Sequence, residues 1–370
     1  MRNFFFVLIF LLSCFSSSLA QTDSSFSPSG KMNAQLFTDY YYVKHAPDYT
    51  IGSAQYAGAS QDYASFEIRR LFLGYNYDFT REFSGEILFS YEGNLDGSGN
   101  RGVLLKVADI KWKNIFSNSD FLIGLQFTPS FVLLTEKVWG YRSIEKTILD
   151  KNKFASPTDL GAGLQGAFDN DKNYGYNILY ADGTGTKPEN DRYKKIYADL
   201  WGKFLDKKII VDLYGDLEQK REIPQIVFQT GKLFLAYQTD ALTIGLEAFL
   251  IYETRGVQAS PDALDYNYTD VEPFGYSLFI TGSIFPKKLN FFARYDSFDP
   301  DLMYNPSLYY AYSTAKERFI TAGLDWTPFQ AIHIMPNIWY TNYTSKTAGA
   351  TGTALSDYEL VPRITFAFKY

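Results

Sequence analysis

From about residue 31 to the last residue the chain alternates. Apolar and aromatic side chains take every second position in segments of about ten residues, and turn-forming residues separate the segments. A period of two is the pattern of a strand with one face in an apolar medium and the other in water. Ile209, Val211, Leu213, Gly215 and Leu217 alternate with Asp212, Tyr214, Asp216 and Glu218. The same holds for Phe83, Gly85, Ile87, Phe89 and Tyr91 against Ser84, Glu86, Ser90 and Glu92. It recurs in 196–204 and in 242–250. The expectation is an all-β fold.

Sandwiches and membrane barrels share this alternation, so the lengths of the connections have to separate them. Short connections fall near Thr80, Ser117, Asn170, Asp206, Thr239, Pro286 and Pro328. Longer ones alternate with them at 44–62, 93–102, 130–158, 182–191, 219–224, 254–272, 299–316 and 344–356. Seven turns and eight loops join sixteen strands. An even number of antiparallel strands, with tight turns at one end and long loops at the other, is the signature of a transmembrane antiparallel β-barrel. Closure removes the sheet edges that lipid cannot hydrogen-bond, and sixteen strands enclose a bore wide enough for water. The rival fold is a water-soluble sandwich of two sheets.

The chain opens with Arg2, an apolar run over 4–12 and small residues ending in Ala20. That is a secretory leader over 1–20, leaving 21–370 as the barrel domain. The run is too short to span a bilayer, and the later chain holds no apolar stretch of helical spanning length. Cys14 sits in a loose lipoprotein-like context, but cleavage after Ala20 is the simpler reading and leaves no cysteine. One Cys and two His in the whole chain give no disulfide framework, no Cys-based zinc site and little material for a hydrolase triad. A formal net charge of −6 without a basic stripe argues against a nucleic-acid partner.

The last strand alternates Ile364, Phe366, Phe368 and Tyr370 with Arg363, Thr365, Ala367 and Lys369, and the chain stops on the aromatic. Such an ending resembles the assembly signal of Gram-negative outer-membrane barrels. Tyrosines at other strand ends (40–42, 75 with 77, 309 with 310, 340 with 343) suit interfacial girdles, where ring and hydroxyl straddle the boundary.

Phe66-Glu67-Ile68-Arg69-Arg70-Leu71-Phe72-Leu73-Gly74, followed by a Phe-rich hairpin, resembles the Phe-x-x-Arg-Arg strand of phosphate-selective porins of the O and P type. Gly124-Leu125-Gln126-Phe127-Thr128-Pro129, Ser143-Ile144-Glu145-Lys146, Ser156-Pro157-Thr158-Asp159-Leu160-Gly161 and Phe291-Phe292-Ala293-Arg294-Tyr295-Asp296 extend the likeness in order along the chain. The resemblance implies a homotrimeric porin of the bacterial outer membrane, general or anion-preferring, whose third loop folds into the lumen. By connection counting, 130–158 is that loop, the expected constriction loop. The resemblance also implies basic residues of wall and loop that relay an anion. The positions that match are Arg69 and Arg70, with Lys137, Arg142 and Lys146 in the loop and Arg294 in the last stretch.

Adjacent strand residues face opposite ways, so Arg69 and Arg70 share the lumen only if a bulge re-aims one of them. Lumen positions carry both signs, leaning acidic: Glu86, Glu92, Asp109, Asp199, Asp212, Asp216, Glu218, Glu247, Asp296 and Asp325 stand beside Lys111, Lys113, Lys195, Lys203, Arg294 and Arg363. The arginines then have a second reading, as partners of wall carboxylates that fix the loop. His45 reads as a solvated loop residue and His333 as a lumen histidine mid-strand with Met335, Asn337 and Trp339. Neither has a recognisable nucleophile motif beside it, so no catalytic residues are assigned. The acidic stretch 262–270 lacks the spacing of a calcium loop, and Gly183-Thr184-Gly185 is a turn with no helix after it. No metal or cofactor is expected. The partners are small hydrophilic solutes or anions and membrane lipid. The rival functions are a non-conducting surface-binding barrel and a hydrolase at the rim.

Overall fold

The computed structural model describes residues 26–222, 225–260, 267–310, 314–348 and 354–370. The expected leader, Cys14 and most of the acidic stretch 262–270 lie outside the described residues. The strands are β1 (Ser29–Val43), β2 (Tyr63–Asp78), β3 (Phe83–Tyr91), β4 (Leu104–Phe116), β5 (Ser119–Phe127), β6 (Thr158–Ala167), β7 (Tyr174–Ala181) and β8 (Lys195–Phe204). They continue as β9 (Ile209–Glu222), β10 (Gln225–Gln238), β11 (Leu242–Gln258), β12 (Tyr268–Val271 and Phe274–Phe285), β13 (Leu289–Asp299), β14 (Ala315–Phe329), β15 (Ile332–Ala348) and β16 (Ala354–Lys369). Both segments of β12 pair with β11. The gap between them holds Pro273, which has no N–H to give the ladder.

Every strand pairs antiparallel with the next, and β16 returns to β1 over Gln35↔Lys369 to Tyr41↔Arg363. At the seam Tyr370 and Ala34 exchange two backbone hydrogen bonds of 2.8 and 3.0 Å. The sheet is therefore a closed barrel of sixteen strands, with no open edge. This excludes the sandwich.

Its side chains are distributed inside out. In β9, Leu213 and Leu217 are 54% and 47% exposed, while Asp212 and Asp216 are 0% and 7% exposed. A water-soluble fold reverses that ordering, whereas a barrel in lipid requires it. Exposed Tyr40, Phe66 and Tyr180 lie toward the long-loop end of the outer surface, and Phe204, Phe285, Trp326 and Phe329 toward the short-turn end. The tyrosine girdle differs in part from expectation. Tyr41 turns inward against Tyr56, Tyr343 is 1% exposed, and Tyr309 and Tyr310 lie in the loop after β13.

All seven short turns fall where expected, but the loop lengths are corrected at three places. β9 and β10 pair out to Glu222↔Gln225, so 219–224 is a tight connection and not a long loop. β11 and β12 pair out to Gln258↔Tyr268, and β15 and β16 out to Ala348↔Ala354. Beyond the membrane both faces of a hairpin are wet, so period-two hydropathy ends before the hydrogen-bond ladder does.

An arginine on the outer face tests the fold directly. Leu213→Arg is expected to destabilise folding into vesicles by ~2–4 kcal/mol, measured by denaturant titration. A cost near zero would be the result for an exposed site on a water-soluble protein.

Candidate functional site

The connection between β5 and β6 turns into the barrel instead of projecting from it. Its neck is closed by Thr128, whose N–H donates to Pro157 O at 3.0 Å and whose hydroxyl donates to Ser156 O at 2.7 Å. Inside it forms two short helices, α1 (Thr135–Trp139) and α2 (Ile148–Lys151). Gly140 ends α1 at φ +73°, where only glycine is unstrained. Phe131, Val138, Trp139, Ile144, Ile148 and Leu149 are buried, an apolar set that a solvated loop would not carry. They pack on inward aromatics of the β10–β13 wall: Trp139 lies 5.1 Å from Phe279, Tyr141 4.6 Å from Phe292 and Phe154 5.8 Å from Phe249, centroid to centroid.

Polar bonds complete the docking. The register steps from Phe37↔Arg70 to Thr38↔Ile68, so Arg69 is the extra residue of a bulge and both arginine side chains reach the lumen. Arg69 donates to Ser143 O at 3.0 Å and Ile144 O at 2.7 Å, and Arg70 to Arg142 O at 2.6 Å. From the other wall Arg294 donates to Lys146 O at 2.5 Å while gripping Asp296 through two bonds of 2.6 and 2.8 Å. Three guanidinium groups thus latch the backbone of 142–146. Lys232 adds a bond of 3.0 Å to the Thr135 hydroxyl at the start of α1, and is held itself by Asp212 at 2.7 Å.

The six residues singled out from the sequence therefore separate by role. Arg69, Arg70 and Arg294 spend donors on loop carbonyls. Arg142 pairs with Glu136 and lies 3.6 Å from Glu92 and 3.9 Å from Asp150, and Lys146 lies 3.4 Å from Asp150. Lys137 is the exception. It projects from α1 into the remaining open space and pairs with no described carboxylate.

The first loop, 44–62, also folds inward. Ile51 packs on Ala315 and Tyr343, Ser53 gives Glu317 two bonds of 2.6 Å, and the Tyr56 N–H gives Glu359 one of 2.6 Å. Glu317 lies 3.5 Å from Lys151 of α2 as well, so one wall carboxylate ties both loops. His45 lies in the first loop with its side chain 38% exposed, as expected, but it is also tied down: it lies 2.8 Å from Asp357 and stacks on Tyr358 at 4.0 Å. His333 faces the lumen as expected, but at the second residue of β15, not mid-strand. It pairs with Asp325 at 2.9 Å, which also accepts from Tyr141 at 3.3 Å.

Both loops thus fill the lumen beside β10–β16. Three neighbouring cavities of about 270, 350 and 310 Å³ remain between the third loop and the wall of β1–β8, and Lys137 and Leu133 line all three. Lys111 of β4 and Lys203 of β8 face Lys137 there, with Glu86 and Asp109 alongside. Enclosure by the walls pushes the Lys137 ammonium below the ordinary lysine range; Glu136 and Glu86 oppose the shift, while Lys111 and Lys203 reinforce it. Lys111 and Lys203 were legible as lumen positions but not as site residues. Their cross-strand neighbours are Ser84, Leu122 and Ile210, not acids, and only the register shows that.

Removing two latches should free the loop. Arg69→Ala with Arg70→Ala is expected to raise single-channel conductance and add flicker, read in planar bilayers. A quiet, unchanged current would show that the arginines do not hold the loop.

No family model matches the chain, and no curated protein matches it. Solved structures do. The outer membrane channel DcaP of Acinetobacter baumannii aligns with a TM-score of 0.63 and 15% identity over 94% of this chain and 99% of that one. An anion-selective porin from Comamonas acidovorans aligns at 0.60 and 12% over 93% and 100%. The trimer form of OmpT, an outer membrane protein of Vibrio cholerae folded in vitro, aligns at 0.58 and 11% over 93% and 100%. At these identities the likeness is one of fold, and it spans nearly the whole of each chain: the closed antiparallel barrel that these outer-membrane proteins share.

Proposed function

We propose that the protein is a bacterial outer-membrane porin through which small hydrophilic solutes diffuse passively, with a preference for anions, and that it assembles as a homotrimer. The observation that carries this reading is the passage along β1–β8, where Lys137 stands opposite Lys111 and Lys203 with no carboxylate partner of its own. In a narrow water-filled space, an uncompensated ammonium lowers the barrier for anions and raises it for cations. Glu86 and Asp109 lie on the wall side of the same passage, so the preference is one of degree and does not single out phosphate. The similar structures lend support: one is an anion-selective porin and another a trimer form. In this reading both His–Asp pairs fix loop and wall, and the chain performs no covalent chemistry.

Purified protein in planar bilayers should conduct in steps, with a reversal potential in a KCl gradient on the anion side. Replacing Lys111, Lys137 and Lys203 together by Gln should move that potential toward potassium. Correct insertion without conductance would favour a surface-binding barrel, and a cation-side potential in the wild type would sink the lysine argument.

The preference should also depend on pH in a definite direction. A lysine held below its usual value of about 10.4 loses its charge earlier as pH rises. Anion preference should therefore fade below that pH, and Lys137→Arg should keep it to higher pH. A preference that is flat up to the ordinary lysine range would contradict the role given to Lys137.

A further inference from the structure

The cavity at the short-turn end differs in chemistry from the rest of the passage. Trp201 of β8 faces into it. Of the other tryptophans, Trp112 packs at a tilt on Phe83 on the outer surface, Trp326 is half exposed there, and Trp139 and Trp339 are buried. Trp201 alone puts an indole beside the water-filled space. One side of the ring covers its cross-strand partner Gly175, where a Cβ would come within 2.1 Å of the indole. The glycine thus lets the ring lie against the wall, fixed before any ligand arrives.

Three cations, three amides (Asn118, Gln165 and Asn177) and one carboxylate, Asp120, which accepts from the Asn114 N–H at 3.0 Å, line the cavity around that ring. The Lys203 ammonium lies over the indole, 5.3 Å from its centroid, so a ring that stacks there meets the ammonium at its edge, and Lys137 and Lys172 line the same cavity. Gln165 brings an amide that bonds to no described group. Asn177 donates to Asp199 at 2.7 Å, which leaves its carbonyl oxygen as an acceptor. At about 270 Å³ the cavity holds one small ring.

We propose that this cavity is a binding subsite for a monosaccharide carrying an anionic group, of the hexuronate class. The C–H face of a pyranose bears partial positive charge and packs on the negative face of an indole. Neighbouring hydroxyls match the donor and acceptor pairs of planar amides. The carboxylate meets Lys203 and Lys137 in charge-assisted bonds. Each component alone is common; their meeting at one cavity is what selects the class. A neutral sugar lacks the ionic contact, acetate lacks the ring, and an aromatic acid leaves the amides unused. The inference deepens the anion-channel reading, since solute reaches the subsite by way of Lys137, but binding can be measured without conduction.

The test is titration calorimetry of glucuronate, glucose, acetate and benzoate on the full protein in detergent. Glucuronate should bind tightest. Trp201→Ala should weaken it tenfold or more, which is ~1.4 kcal/mol, and Trp201→Phe should recover most of the loss. Gln165→Leu should weaken glucuronate and leave benzoate unchanged. The proposal is overturned if glucuronate binds no better than acetate or glucose, if benzoate binds tighter, or if Trp201→Ala has no effect. A protein that binds glucuronate but does not conduct keeps the subsite and loses the channel; one that conducts but does not bind glucuronate keeps the channel and loses the subsite.

Discussion

A backbone crossing hydrocarbon has no water with which to share its N–H and C=O groups, so each must find a partner in the protein. This requirement, met by the seam between β1 and β16, is what the rest of the molecule depends on. Once Ala34 bonds to Tyr370 and the register Gln35↔Lys369 is set, the sheet has no edge and every side chain is committed to lipid or lumen. The inversion in β9, with leucines outside and aspartates inside, is the direct result. Tyr370 is part of the same event, because its backbone bonds to Ala34 continue the ladder.

Closure on this scale leaves an interior too wide to be filled by the wall's own side chains. The protein fills it with two loops, and does so unevenly. The third loop has its own apolar face and docks like a small core element on inward phenylalanines, while arginines from opposite walls fasten its backbone. The first loop occupies the mouth above β14–β16. Buried ion pairs such as Arg294 with Asp296 gain little net stability once desolvation is counted. Their effect here is to fix position, because each guanidinium also reaches a loop carbonyl. The water path is what remains on the opposite side, and its chemistry is set by residues that the docking did not consume.

Much of this was legible residue by residue. The turns near Thr80, Ser117, Asn170, Asp206, Thr239, Pro286 and Pro328 marked hairpins because the hydropathy phase breaks there. Arg69 and Arg70 carried a conditional reading, a bulge or opposite faces, and the register step from Phe37↔Arg70 to Thr38↔Ile68, which leaves Arg69 unpaired in the ladder, resolves it in favour of the bulge. The strand extensions past 219, 254 and 344 were not legible, since wet hairpins alternate nothing. Nor was the inward fold of the first loop: Ile51 and Tyr56 are isolated apolar residues in a polar stretch, and only the receiving surface of Ala315, Tyr343 and Trp339 gives them a place.

The sequence by itself determined that this chain forms strands, how many, and which face of each meets lipid, because hydropathy period and turn chemistry are local and repeat in every hairpin. Which cations face water was decided by the tertiary structure alone. Lys137 and Arg142 are five residues apart on one loop, yet Arg142 meets Glu136, Glu92 and Asp150 while Lys137 pairs with no described carboxylate and has Lys111 and Lys203 as well as Glu136 and Glu86 in its surroundings. Whether a charge is spent or left over depends on what lies opposite it across the barrel. That pairing is a property of closed geometry, and no single segment contains it.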